Sequence, residues 1–275
     1  MKRAAKAFTQ KRQPLLKELS GYHELIYFFV WRYFKVRYKQ TAIGIIWVII
    51  QPLFLTAVVS LFILRGLKID FGYAQHVLVI LPIFAGIMLW TYFDKTVNAV
   101  SDSLITNRNI MTKVYFPKII PPLAATVSGL IDLLFALVVF VLLIIFSGSG
   151  IYPIGILTCI LALVLGVVAT FGTGIFFAAL NVEYRDVSQI VPFLLRIGVF
   201  ATPVFYPVTL LPNRIQEFAY LNPMTGVIEL FRSGFFNPSA IDWKGLAISA
   251  GSAVALAVIG LWVFRKKETT MIDVI

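Results

Sequence analysis

The chain has 275 residues, 59% of them hydrophobic and 13% charged, with a formal net charge of +11 and a mean hydropathy of +0.88. These values exclude an ordinary soluble domain and describe a polytopic membrane protein, so the cations are read by their place along the chain and not as a nucleic-acid footprint. A single cysteine, Cys159 within an apolar run, excludes an intrachain disulfide.

Residues 1–19 form a basic leader broken at Pro14. The first apolar run starts only after ten Lys or Arg, too far in and too basic for a usual signal peptide, so the leader is expected to stay cytosolic. Residues 20–40 place Tyr22, Ile26, Phe29 and Tyr33 at helical spacing on one face, and Arg32, Lys35 and Lys39 on another. That pattern predicts an amphipathic helix in the membrane interface, rings among the acyl chains and cations at the headgroups. Residues 42–64 carry no charge and are long enough to cross a hydrocarbon core about 30 Å thick.

A second apolar run covers 77–93 and continues as helix towards Val100. The polar stretch 101–118 offers Leu104, Ile105, Ile110 and Met111 as one face of a short surface helix. Pro117, Pro121 and Pro122 punctuate the entry to a third span, 123–146. A fourth, 154–180, is rich in small residues (Gly166, Ala169, Gly172, Gly174) that let helices approach closely. The loop NVEYRDVSQ precedes a fifth span that begins near Ile190 and meets Pro203 and Pro207. Residues 203–237 are neither polar enough for a loop nor long enough in unbroken apolar sequence for a span. They predict a re-entrant hairpin of two short helices, the second capped by Asn222 with Pro223 in its first turn. Asp242 is the expected cap of a last span, 243–264, and residues 265–275 form a basic tail.

The expected fold is therefore all-α, one transmembrane domain over residues 1–275 with a six-helix region at 42–264. With both termini cytosolic, the inside segments hold nineteen of the twenty-four Lys and Arg, and the outside segments hold the other five, Arg65, Lys68, Arg214, Arg232 and Lys244. The positive-inside rule asks for that asymmetry.

No GxxxxGK[ST] occurs, so no nucleotide is expected on a P-loop of this chain. The only histidines, His23 and His76, lack a second ligand at useful spacing, and no metal or catalytic group is expected. Asp132 is the one acid well inside a predicted span; a structural ion pair and a functional role both remain open for it. Trp47, Gln51, Phe54, Val58 and Phe62 recur along one span, with Phe193 and Phe200 seven apart on another. Such rings either pack against helices and lipid or present flat faces to passing sugars.

Several motifs in order, KVRYKQTAIGIIWVIIQPL, KVYFPKIIPPL, LNVEYRDV, TPVFYP and LNPMTGVIELFR, make the chain resemble the membrane subunit of bacterial type-2 ABC exporters for O-antigen, capsular polysaccharide or teichoic acid. The resemblance implies a homodimeric channel in the inner (plasma) membrane. It also implies two separate cytosolic ATPase subunits, which bind the ATP and Mg, and a lipid-linked glycan as cargo. It places ATPase coupling at Asp102, Arg108, Lys113, Tyr115 and Phe116 in the first cytosolic loop and at Glu183, Arg185 and Asp186 in the second. Arg32, Lys35, Arg37 and Lys39 become the expected recruiters of the lipid phosphate. Trp47, Phe54, Phe62, Phe193, Phe200, Phe205 and Tyr206 become the expected channel-lining rings. Another cargo on the same machine, a drug or a lipid, is the alternative, and a membrane-integral transferase a more distant one.

Overall fold

The computed structural model describes residues 20–39, 46–63, 79–114, 116–148 and 152–268, and the described residues contain no strand. The leader, the 64–78 link with Arg65 and Lys68, Tyr115 and the last residues of the tail lie outside them. Among the described residues eleven α-helices follow one another: α1 (His23–Tyr38), α2 (Ile46–Leu61), α3 (Ile80–Ser101), α4 (Ser103–Thr106), α5 (Arg108–Met111), α6 (Ile120–Ser147), α7 (Ile154–Asn181), α8 (Val187–Ala201), α9 (Asn213–Ala219), α10 (Pro223–Phe236) and α11 (Trp243–Lys267).

Four of them, α3, α6, α7 and α11, are long and apolar enough to cross a membrane. The helices on the other two expected spans are shorter. α2 has 16 residues, ending in a π-type turn at Phe62 and Ile63, and α8 has 15. At 1.5 Å per residue α8 extends only about 22 Å. It stops at Thr202, whose backbone turns extended just before Pro203.

α3 is the central post, packed by α2, α6, α7, α8 and α10 and buried on nearly every side. α7 is the second post and holds α10 and α11. Lipid chains are as apolar as leucine, so contact between such helices depends on close fit more than on escape from water. The α7–α11 crossing shows this fit. A Cβ on Gly172 would sit 2.6 Å from the Ala257 Cα, and one on Gly260 would sit 2.5 Å from the Gly172 carbonyl oxygen. Between the posts, the Phe140 ring is ringed by Phe84, Phe231, Phe235 and Phe236, with centroids 5.1–6.4 Å away.

The start signals act as expected at two helices. The Asn222 side chain accepts from the Met224 N–H at 3.0 Å and caps α10, and Asp242 accepts from the Gly245 N–H at 3.0 Å and caps α11. Pro121 and Pro122 fall inside the first turn of α6, where their missing N–H groups would have no partner anyway. Residues 203–237 do contain two short helices, and every residue of α10 is buried.

α1, expected to lie in the membrane interface, presents a different face from the one expected. Its stripe of Tyr22, Ile26, Phe29 and Tyr33 faces protein, not acyl chains: Phe29 is fully buried against Phe116, Ile120 and Ala124, with the Phe29 and Phe116 ring centroids 5.4 Å apart. The exposed rings are Tyr27, Phe28 and Trp31 on the opposite side. The predicted surface helix over 101–118 is likewise two single turns, α4 and α5, broken at Asn107. Of its four apolar residues only Leu104 is fully buried, and Ile105 points outward.

Candidate functional site

Asn107 explains that break. Its amide donates to the Ser103 carbonyl at 2.6 Å and to the Tyr33 hydroxyl at 2.8 Å, while its oxygen accepts from Arg32. A buried side chain so occupied ties α1 to the α4–α5 turns and draws the backbone out of a single helix. Burial pushes the Tyr33 hydroxyl up to about 12, the Asn107 hydrogen bond opposing it.

Farther along α1, Arg37 pairs with Asp132 on α6, and the Tyr38 hydroxyl donates to the same carboxylate at 2.6 Å. The acid inside α6 is thus paired. Beside it, Lys95 donates to Gln51 at 2.9 Å, and Lys95 and Asp132 both line a small cleft between α2, α3 and α6. The four basic residues expected to recruit a lipid phosphate therefore divide. Arg32 and Arg37 are engaged by the protein; Lys35, whose ammonium lies 5.3 Å from the Trp31 ring centroid, and Lys39 face outward.

The two loops expected to couple with an ATPase come together at one end of the molecule. Asn181, the last residue of α7, donates to the Ser101 carbonyl at 3.1 Å and to the Asp102 carboxylate at 2.8 Å. Burial raises the Asp102 carboxyl above its usual range, against the lowering pull of Asn181. Phe116 is not a surface group, being buried under Phe29. Arg108, Lys113, Glu183, Arg185 and Asp186 are exposed. Glu183 pairs with Lys267 of α11, whose hydrogen bond and charge hold the carboxyl below its usual range. Lys118 donates to the Glu268 carbonyl at 2.6 Å, so the end of α11 reaches both loops.

On α2 the residues Val48, Pro52, Thr56 and Ser60 are buried, and Trp47, Gln51, Phe54 and Phe62 form the opposite, exposed face. Phe193 and Phe200 are exposed on α8, and Phe205 and Tyr206 are half-buried just beyond it. The Phe200 and Phe205 ring centroids are 6.1 Å apart, and the Tyr206 hydroxyl donates to the Phe200 carbonyl at 3.3 Å.

Sequence reasoning counted Arg232 among the outside loop cations, yet it is fully buried. Its Nε donates to the Pro82 carbonyl at 3.1 Å, one terminal nitrogen to Pro203 at 3.3 Å, Tyr206 at 3.0 Å and Glu229 at 3.1 Å, and the other to Val204 at 2.7 Å. Glu229 also accepts from the Val208 N–H at 3.1 Å. The segment 203–207, with prolines at both ends, belongs to no strand or helix, and two side chains one turn apart on α10 bond its carbonyls and the Val208 N–H that follows. The available signal was the i,i+3 pair of opposite charges in an otherwise apolar run. Among the described residues no group of His, Cys, Asp and Glu could hold a metal.

The profile of the ABC-2 type transporter family matches residues 24–236. The O-antigen export system permease protein RfbA of Myxococcus xanthus is 28% identical over 263 residues, covering 92% of this chain and 97% of that protein. A Klebsiella pneumoniae protein of the same name is 26% identical over 88% of this chain and 91% of its own length. The polysialic acid transport protein KpsM of Escherichia coli is 22% identical over 88% and 92%. With buried helical posts of membrane-crossing length and a family match running from the first turn of α1 to the end of α10, the chain belongs to the ABC-2 type transporter family of multi-pass membrane proteins.

Proposed function

We propose that the chain is the channel-forming subunit of an ATP-driven exporter that carries a lipid-linked polysaccharide, of O-antigen, capsule or teichoic-acid type, from the cytosolic side across the inner membrane. The observation that carries this reading is the nearly end-to-end correspondence with a relative named as an O-antigen export permease. Two further relatives are named for polysialic acid transport and capsule polysaccharide export. In this reading α2, α3, α6, α7, α8 and α11 make six crossings. The segment 203–237 re-enters from the outer side, and both termini are cytosolic, as the cation distribution favours.

Two copies enclose one path, and two ATPase subunits hold ATP and Mg²⁺ outside this chain. They dock on α4, α5 and the 182–186 loop, where Arg108, Lys113, Arg185 and Asp186 are exposed. The aromatic faces of α2 and α8, with Phe205 and Tyr206, conduct the sugar chain, because ring faces attract CH surfaces without fixing one register. Lys35 and Lys39 attract the lipid phosphate at headgroup level, while Arg32 and Arg37 hold the helix that carries them.

The test is purification from native membranes in mild detergent, followed by an ATPase assay. Recovery of a P-loop subunit, with hydrolysis lost in Arg108→Glu or Arg185→Glu, supports the reading. Recovery of the chain alone, with surface polysaccharide unchanged when it is deleted, refutes it.

A further inference from the structure

The buried ion pair on α10 has a role that its position among loop cations concealed. Three backbone carbonyls between Pro203 and Tyr206 converge on one guanidinium, and the same guanidinium reaches back to Pro82 just inside α3. Arginine suits this because its five N–H groups are fixed in one plane and can serve several acceptors at once, whereas a lysine ammonium has three donors. Glu229 supplies the counter-charge and also receives the Val208 N–H, so the segment is gripped at both ends. What the grip leaves facing outward is the pair Phe205 and Tyr206, half-buried beside Phe200.

The cage is sized by a third residue. A Cβ on Gly86 would stand 2.5 Å from an Arg232 terminal nitrogen and collide with the Val204 carbonyl oxygen. Only a glycine at this point of α3 lets the guanidinium and the segment lie against the helix together.

We propose that Arg232, with Glu229 and Gly86, is a positioning residue for transport: it touches no cargo and sets the backbone of 203–208 so that Phe205 and Tyr206 meet the sugar chain beside Phe200. This rests on the polysaccharide reading above for its cargo, although not for its geometry.

Two arms test it on the full-length chain. In lipid nanodiscs, hydrogen exchange of peptides spanning 199–211 is compared among wild type, Arg232→Lys and Gly86→Ala, the last keeping both charged residues while crowding the guanidinium and the segment. Exchange at the Val208 amide faster by about 10-fold or more in both variants, with α11 unchanged, is expected. Unchanged exchange in both overturns the positioning role whatever the cargo. In cells, surface polysaccharide per inserted protein is measured for Gly86→Ala, for Phe205→Ala/Tyr206→Ala, and for all three changes together. If Arg232 acts through the rings, adding Gly86→Ala to the ring variant causes no further loss, whereas independent losses multiply and overturn the proposal. Arg232→Lys is expected to export more than Arg232→Gln, since it keeps the charge opposite Glu229 and some of the carbonyl contacts. Equal loss in the two overturns the carbonyl cage as the working element. A wild-type complex that moves no polysaccharide would refute the cargo reading, and the exchange arm would still decide the positioning.

Discussion

Phe29→Ala should release α1 from the rest of the molecule. The phenyl ring is fully buried, packed on the Phe116 ring at 5.4 Å between centroids and on Ile120 and Ala124. Removing a buried ring of this kind costs about 3–5 kcal/mol when the site cannot collapse. Here the cavity wall is partly another ring on an irregular segment before α6, which can close somewhat, so the lower end, about 3 kcal/mol, applies. The loss falls on a local equilibrium, because α1 docks on α6 and the α4–α5 turns and contributes little to the α3 and α7 posts. At about 1.4 kcal/mol per decade, docking weakens on the order of 100-fold. The assay is hydrogen exchange in nanodiscs, read separately on peptides from α1 and from α7. Exchange of the α1 amides should accelerate by that factor, while α7 stays protected. Equal acceleration in both would refute α1 as a separately docked unit. No change in α1 would refute Phe29 as its anchor.

Gly172→Leu or Gly260→Val should force α7 and α11 apart, because the nearest atoms a side chain would meet are backbone and cannot rotate away. Overpacking of this kind costs about 1–3 kcal/mol or more, visible as a lower melting temperature and loss of a monodisperse peak in detergent. The Glu183–Lys267 contact should be sensitive to acid. Its carboxyl lies below the usual value of 4.5 in the folded protein, so the contact is intact above that pH and is lost as pH falls through the lowered folded value. Exchange in the 182–186 loop, corrected for intrinsic rates, should stay flat from pH 8 to 5 and rise only below 4.5. Asp102 has the opposite sign. Its raised carboxyl costs stability as pH rises through the folded value, so Asp102→Asn, which keeps an oxygen for Asn181, should be neutral or stabilising at pH 7.5, measured by thermal unfolding.

The long helices and two caps were readable because length, absence of charge, Asn222 and Asp242 act locally. The inward face of α1 was not. An apolar stripe on a helix says that water is excluded, and acyl chains and a protein wall exclude it equally well, so the spacing of Tyr22, Ile26, Phe29 and Tyr33 could not choose between them. The protein partners of Arg32 and Arg37 could not be read from local sequence either, since Asn107 and Asp132 lie 75 and 95 residues away. Asp132 could be flagged as an acid inside a span, but only the fold brings Arg37 and Tyr38 to it. Arg232 misled through composition, because a cation between two apolar runs resembles a loop charge; its meaning depends on carbonyls freed by Pro203 and Pro207 elsewhere.

The end of α11 joins parts that the chain keeps far apart. Lys267 holds Glu183, and the Glu268 carbonyl is held by Lys118, so the two polar loops hang on one helix end. At its other end the same helix receives the Gly226 N–H on Ser249, sends the Ser249 hydroxyl to the Tyr220 carbonyl, and pairs Lys244 with Glu217 of α9. A straight rod of 25 residues, about 37 Å long, thus has a yoke at one end and the short-helix hairpin at the other. The two polar loops are therefore tied to α9 and α10 through this one helix, by contacts that involve none of the aromatic faces of α2 or α8.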